Sequence, residues 1–250
     1  MLPKSRILAQ CVMVSAIVFL AALLLSARTC SAVVIWQDDF NDGDYDGWNI
    51  YQGDFEVTGN ALVANGSYGV WNFIRHTSTT TYGTWSFDVL SEDAPQNHTY
   101  VYIISGGTVD FPNYRLCIWT GSFDGWAPGP GVSLLKQNTT ITVSIADWFT
   151  GTLSGWHSYE VTREETGQFH ISVDGVLRIT VTDTEITSSG AFRFGAQENS
   201  GIDNIVVDAP ATTTPTPTPP PAIPGFPLLA IIIAVPLAIG VVAVKRRKTS

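Results

Sequence analysis

The chain has 250 residues, is 45% hydrophobic and only 14% charged, and carries a formal net charge of −9. All 22 acidic residues lie between Asp38 and Asp208, against six basic ones there, so this central body stands at −16. Such a field repels nucleic acid and anionic lipid and excludes both as partners of the body. It suits a surface layer in salty or divalent-rich medium, and equally a secreted domain kept soluble by its charge.

The chain opens with Lys4 and Arg6, then an apolar run from about Val12 to Leu25, then the small residues Cys30 and Ala32 at the −3 and −1 positions of a cleavage site. This pattern predicts a secretory signal peptide over residues 1–32, with a mature chain starting near Val33. Removal of that segment leaves one cysteine, Cys117, which can form neither an intrachain disulfide nor a cysteine-based zinc site. Set among the apolar residues of YRLCIWT, it reads as a small buried hydrophobe.

The body begins with DDFNDGDYDGW, five aspartates within eleven residues. From Asp42 it matches the first six positions of a calcium loop, but the twelfth is Gly53 and the next acid, Asp54, comes one residue late. No helical pattern flanks the segment, so an EF-hand is not expected. An acidic turn held by its own Asx-type hydrogen bonds remains open.

Short strands follow almost without interruption. TWSFDVL alternates Trp85, Phe87 and Val89 against polar neighbours. QFHISVDGVLRITVTD alternates on both sides of Asp174-Gly175, a dipeptide that favours the type I′ turn of a hairpin. DFEVTGNALVA is a second predicted hairpin, turning at Gly59-Asn60. Further strands are predicted in YGVWNFIR, TYVYIIS, YRLCIWT, TITVSIA, WHSYEVTR, GAFRFGA and IDNIVVD, and no stretch of the body sustains a helical period. The reading is all-β, a single antiparallel sandwich over residues 33–208.

Two segments depart from ordinary turn composition. WTGSFDGWAPGPG holds Trp119, Asp124 and Trp126, and ADWFTGTLSGW holds Asp147, Trp148 and Trp156. Rings open to solvent stack on sugars, and adjacent carboxylates accept hydroxyl hydrogen bonds. Trp126 and Trp148, with Asp124 and Asp147, are therefore the candidate ligand-binding residues. Trp119 and Trp156 fall on predicted strands and are expected to cap the core. Sequons at Asn65, Asn97 and Asn138 lie in turn-like segments, as acceptors of N-glycans would.

The opening Asp38 to Phe40, Gly47-Trp48, Gly53, Phe55, Val57, Gly59 and Leu62, together with GWHSYEVTREETGQFHISVDG and the closing GIDNIVVD, resembles the concanavalin A-like, laminin G-like jelly rolls. The resemblance spans essentially the whole body, through motifs that set hairpins and core positions. It implies a two-sheet jelly roll in which the first and last strands pair. It also implies that Asp39 approaches Asp203, so a structural Ca²⁺ held by some of Asp38, Asp39, Asp42 and Asp203 stands beside the acidic-turn reading. Family-16 glycoside hydrolases share that fold and carry an E-x-D-x-E strand for a retaining mechanism. This sequence has no such triplet, and its four histidines form no metal spacing, so an enzyme is not expected.

After the body comes APATTTPTPTPPPAIPG, residues 209–225, an extended Thr/Pro-rich stalk by composition. Residues 226–244 carry no charge and are long enough for a membrane-spanning helix, with Pro236 as a tolerated kink. Lys245, Arg246, Arg247 and Lys248 then mark the cytoplasmic side in a tail of residues 245–250. The Thr-rich stretch, Pro224-Gly225-Phe226, apolar run and basic cluster resemble the PGF-type sorting segments of archaeal surface proteins. That resemblance implies cleavage near the motif and a lipid anchor, while a single span without cleavage remains the alternative. The expectation is a tethered cell-surface module that binds or adheres, most plausibly to extracellular glycans, with a structural envelope protein without a small ligand as the first alternative and a divergent glycoside hydrolase as the second.

Overall fold

The computed structural model describes residues 33–65, 69–92, 98–106, 111–121, 129–138, 141–149, 153–197 and 199–210. The predicted signal peptide, the stalk beyond residue 210, the predicted span and the basic tail lie outside these. Among the described residues no helix is long and apolar enough to cross a membrane.

Fifteen strands make up the described body: β1 (Val34–Asp38), β2 (Trp48–Gln52), β3 (Phe55–Thr58), β4 (Ala61–Ala64), β5 (Asn72–Thr77), β6 (Gly83–Ser91), β7 (His98–Ser105), β8 (Asn113–Trp119), β9 (Gly131–Gln137), β10 (Thr142–Phe149), β11 (Gly155–Arg163), β12 (Gln168–Val173), β13 (Val176–Thr182), β14 (Ala191–Ala196) and β15 (Gly201–Asp208). They form two antiparallel sheets. One has eight strands in the order β13-β12-β11-β6-β15-β4-β3, with β1 also paired to β15. The other has seven, β10-β9-β8-β7-β14-β5-β2. The chain crosses repeatedly between sheets, as in a jelly roll.

Residues that alternate along each strand meet between the sheets. β6 contributes Trp85, Phe87 and Val89, β11 Tyr159 and Val161, and β12 Phe169, Ile171 and Val173, all within one core with Ile74, Leu116, Ile118, Leu134, Phe192 and Phe194 of the other sheet. Both predicted hairpins are present. Asp174 and Gly175 have φ of 51° and 72°, and Gly59 and Asn60 have 61° and 65°, the paired left-handed conformations of a type I′ turn.

β9 and β2 are absent from the predicted strands. In β9 the cause is burial on both faces: Gly131 to Lys136 are all buried, so its polarity does not alternate. β8 and β14 are likewise buried along their whole length. The outer face of the seven-stranded sheet is thus densely lined with side chains. β1 and β15 pair as expected, with Asp38 opposite Ile205.

Candidate functional site

The pairing registers carry one row of side chains across the outer face of the seven-stranded sheet. Asp147 lies opposite Ser133, Ser133 opposite Cys117, Cys117 opposite Tyr100, Tyr100 opposite Gly195, and Gly195 opposite Phe73. This face is separate from the main core: Cys117, Trp119 and Leu135 form their own buried cluster, with Tyr100 and Phe149 packed on it.

The rings form a continuous run. Trp71 stacks on Tyr100 at 4.9 Å between centroids with 12° between planes, and on Phe73 at 5.5 Å and 15°. Phe73 stacks in turn on Tyr51 at 5.7 Å and 21°. At the other side His98 stacks on Trp119 at 4.7 Å, and its Nε2 lies 3.0 Å from the Tyr100 hydroxyl. Gly195 makes room for this layer, because a Cβ there would stand 2.3 Å from Phe73 Cε1.

Arginines support the rings from one side. The Arg115 guanidinium lies 4.9 Å from the Tyr100 centroid and 5.3 Å from that of Tyr102. Its Nη1 donates to Asn113 Oδ1 and Gln137 Oε1, at 3.0 and 2.8 Å. Arg115, Tyr102 and Trp119 are buried, whereas Trp71, Phe73, Tyr100, His98 and Arg75 are half-buried and Tyr51 is 39% exposed. Burial pushes the Tyr100 phenol and the Cys117 thiol well above their ordinary values, so both stay neutral at physiological pH. The face therefore offers stacked ring surface, hydroxyl and imidazole groups, and fixed guanidinium charge. It has no thiolate nucleophile.

Of the four candidate ligand-binding residues, Asp124 and Trp126 lie outside the described residues. Asp147 and Trp148 are adjacent on β10 and point to opposite sides. Asp147 is exposed on the outer face, where it accepts a 2.6 Å hydrogen bond from Ser144 Oγ. Trp148 turns inward and packs on the main core, and the Arg178 guanidinium of β13 sits 4.5 Å above its ring. That cation already holds one face of the indole. Trp119 is buried at 3% exposure, as expected of a strand tryptophan. The expectation for Trp156 is corrected: it is 47% exposed, because its position in β11 points away from the core.

The sequence reading passed over Tyr51, Trp71, Phe73, Tyr100 and His98. They sit on three separate segments, at β2, β5 and β7, joined only by long-range pairing. The available signal was the density of rings at alternate positions in YGVWNFIR and TYVYIIS, which could not reveal which face they share.

Asp38, Asp39, Asp42 and Asp203 do not assemble a calcium shell. Asp38 Oδ1 accepts from the Phe40 amide at 3.0 Å and its Oδ2 from the Trp48 indole at 2.8 Å. Asp39 and Asp42 accept from the amides of Asn41 and Asp44, two residues on, in Asx-type turns. Asp203 is held above the usual carboxylate range by burial and by the charges of Asp88, Asp39 and Asp38, while its own bond from the Asn204 amide works the other way. Among the described residues no group of three or more His, Cys, Asp or Glu is arranged to hold a metal ion. Asn65 and Asn138 are exposed, and the Asn138 amide donates to Glu185 Oε2 at 2.7 Å. Asn97 lies outside the described residues.

No family model matches the chain, and no curated protein matches it by sequence. Solved structures do resemble it. The carbohydrate-binding module CBM66 from Bacillus subtilis superposes with a TM-score of 0.52 at 16% identity, over 65% of this chain and 96% of that module. The catalytic domain of an endo-1,3-β-glucanase (laminarinase) from Thermotoga petrophila gives 0.52 at 14% identity, over 73% and 99%. A mutant form of the Emp46p carbohydrate recognition domain gives 0.52 at 10% identity, over 71% and 94%. At these identities the likeness is one of fold: the body is a two-sheet jelly-roll sandwich of the kind these proteins share.

Proposed function

We propose that the body is a glycan-binding module, presented outside the cell on a Thr/Pro-rich stalk and held to the membrane by the apolar segment 226–244. The observation that carries this reading is the stacked run Tyr51–Phe73–Trp71–Tyr100 on the outer face of the seven-stranded sheet. Stacked on one another, these half-exposed rings present their edges as an apolar strip flanked by the Tyr100 hydroxyl, His98 and the Arg115 guanidinium, a surface against which the C–H groups and hydroxyls of a saccharide pack. Because the rings are already packed, little side-chain entropy remains to be lost on binding. Two of the three structures named above are, by name, a carbohydrate-binding module and a carbohydrate recognition domain. The third is a glycoside hydrolase, but this chain lacks the E-x-D-x-E triplet that such catalysis uses, which supports binding without cleavage.

The test is a glycan array probed with the full chain in mild detergent, followed by Trp71→Ala. One stacked ring contributes on the order of 1 kcal/mol. The variant is therefore expected to bind its best glycan several-fold to about tenfold more weakly, with a melting temperature lowered by a few degrees as its stacking on Tyr100 and Phe73 is lost and the cooperative unfolding transition retained. Equal binding by the two proteins would remove this face from the reading.

A further inference from the structure

The outer face of the other sheet carries a second arrangement that the proposed function does not use. In the eight-stranded sheet Trp156 of β11 lies opposite Leu90 of β6, and Leu90 lies opposite Gly201 of β15. The indole reaches over Leu90 as far as Gly201, where an added Cβ would meet its Cη2 at 3.7 Å. Two strand spacings of about 4.8 Å separate β11 from β15, so the ring lies along the sheet and shows a face to solvent. At 47% exposed it is the most open tryptophan among the described residues.

Beside the ring runs a row of hydrogen-bonding groups, set by the same registers: Asp203 opposite Asp88, Asp88 opposite Ser158, with Asp174 flanking. Each is held in place. Asp88 accepts from Ser158 Oγ at 2.5 Å and from Asn204 Nδ2 at 2.9 Å. Asp174 accepts from the Ser158 amide at 3.1 Å, and its other oxygen lies 2.8 Å from His157 Nδ1. Asn204 is the extra residue of a bulge in β15, with φ of 50°, and that bulge turns its amide toward Asp88. Trp156, Asp88, Asp174, Asp203 and Asn204 line one depression of about 340 Å³.

We infer that this depression is a second saccharide site, which takes an uncharged or amino sugar with its apolar ring face on Trp156 and its hydroxyls donating to Asp88 and Asp174. Each of these carboxylate oxygens has a lone pair left after its protein bond, and an acceptor row is matched by a ligand rich in hydroxyl or ammonium donors. Three carboxylates on one face disfavour uronic and other acidic sugars, which would place like charges together. The inference extends the glycan-binding reading but stands on different residues, on the opposite sheet.

The experiment compares the full chain in mild detergent with Trp156→Ala, Asp88→Asn, Trp71→Ala and the double tryptophan variant, on an array of neutral, amino-sugar and uronate oligosaccharides. Trp156 is exposed, so its removal should leave the melting temperature within a degree or two, and unchanged melting is the control for folding. The expected result is that Trp156→Ala and Asp88→Asn each weaken one class of neutral or amino-sugar ligands about tenfold, while ligands sensitive to Trp71→Ala are unaffected. If only Trp71→Ala reduces binding, the second site is overturned and the first stands. If only Trp156→Ala reduces it, the second site stands and the ring run loses its role. Binding confined to uronates, or absent from the whole array, overturns the second site.

Discussion

Single residues here are tuned by what packs on them. His76 sits 4.3 Å from the Trp36 ring and 5.5 Å from Trp48, and its Nδ1 is buried without a hydrogen-bond partner. Burial holds its pKa below the ordinary histidine value, against an opposing pull from Asp38. A depressed folded pKa means that its contribution is present above the unfolded value of about 6.5 and is lost as pH falls through the folded one. The body should therefore lose stability as pH falls below about 6.5, and His76→Phe should flatten that loss in melting curves; an unchanged slope would assign it to other groups. Asp203 runs the opposite way. Its raised pKa marks a carboxylate that is penalised when ionised, so stability on its account is full below about pH 3.9 and falls as pH rises through the folded value. Asp203→Asn is expected to raise the melting temperature at pH 7 by a small amount, under about 1 kcal/mol for a partly exposed charge, with the gain gone at pH 3. A loss at pH 7 would instead mean that the carboxylate is needed there.

At the scale of elements, Arg163 shows how the end of an inner strand is pinned. It ends β11, is 1% exposed, and donates from Nη1 to the Ile186 carbonyl at 2.8 Å and from Nη2 to that of Asp183 at 3.1 Å. Tyr82, Tyr114 and Phe169 surround its guanidinium at 4.9 to 5.0 Å. Close by, Asp183 accepts from the Tyr114 hydroxyl and from Lys136, tying the segment after β13 to the seven-stranded sheet. Arg163→Leu removes the donor to three carbonyls, of Thr81, Asp183 and the buried Ile186, and should cost about 3 kcal/mol or more in denaturant unfolding. A cost below about 1 kcal/mol would show that water replaces it. The hairpins, by contrast, were legible beforehand: Asp174-Gly175 and Gly59-Asn60 state their turn type locally, because only a few residues accept two successive positive φ values. β9 was not legible, since a strand covered on both faces has no alternation to read.

For the molecule as a whole, the arrangement outside the described residues rests on composition and is open to one direct experiment. With an epitope after Ser250, protease added to intact cells should remove the body and leave a tagged stub that contains the basic tail. A protected body would reverse the orientation. Within the body, the sequence by itself determined the all-β class, the two hairpins and the inward residues of β6, β11 and β12, because turn chemistry and period-two burial are local properties of the chain. It also carried the Asx turns of the acidic stretch, which close over two residues. The shared face of Tyr51, Phe73, Trp71 and Tyr100, the inward turn of Trp148 under Arg178 and the exposure of Trp156 over Gly201 were decided only by the tertiary structure. Each depends on which strands pair and in what register, and a one-residue change of register would exchange the two faces of a sheet while leaving the sequence pattern the same.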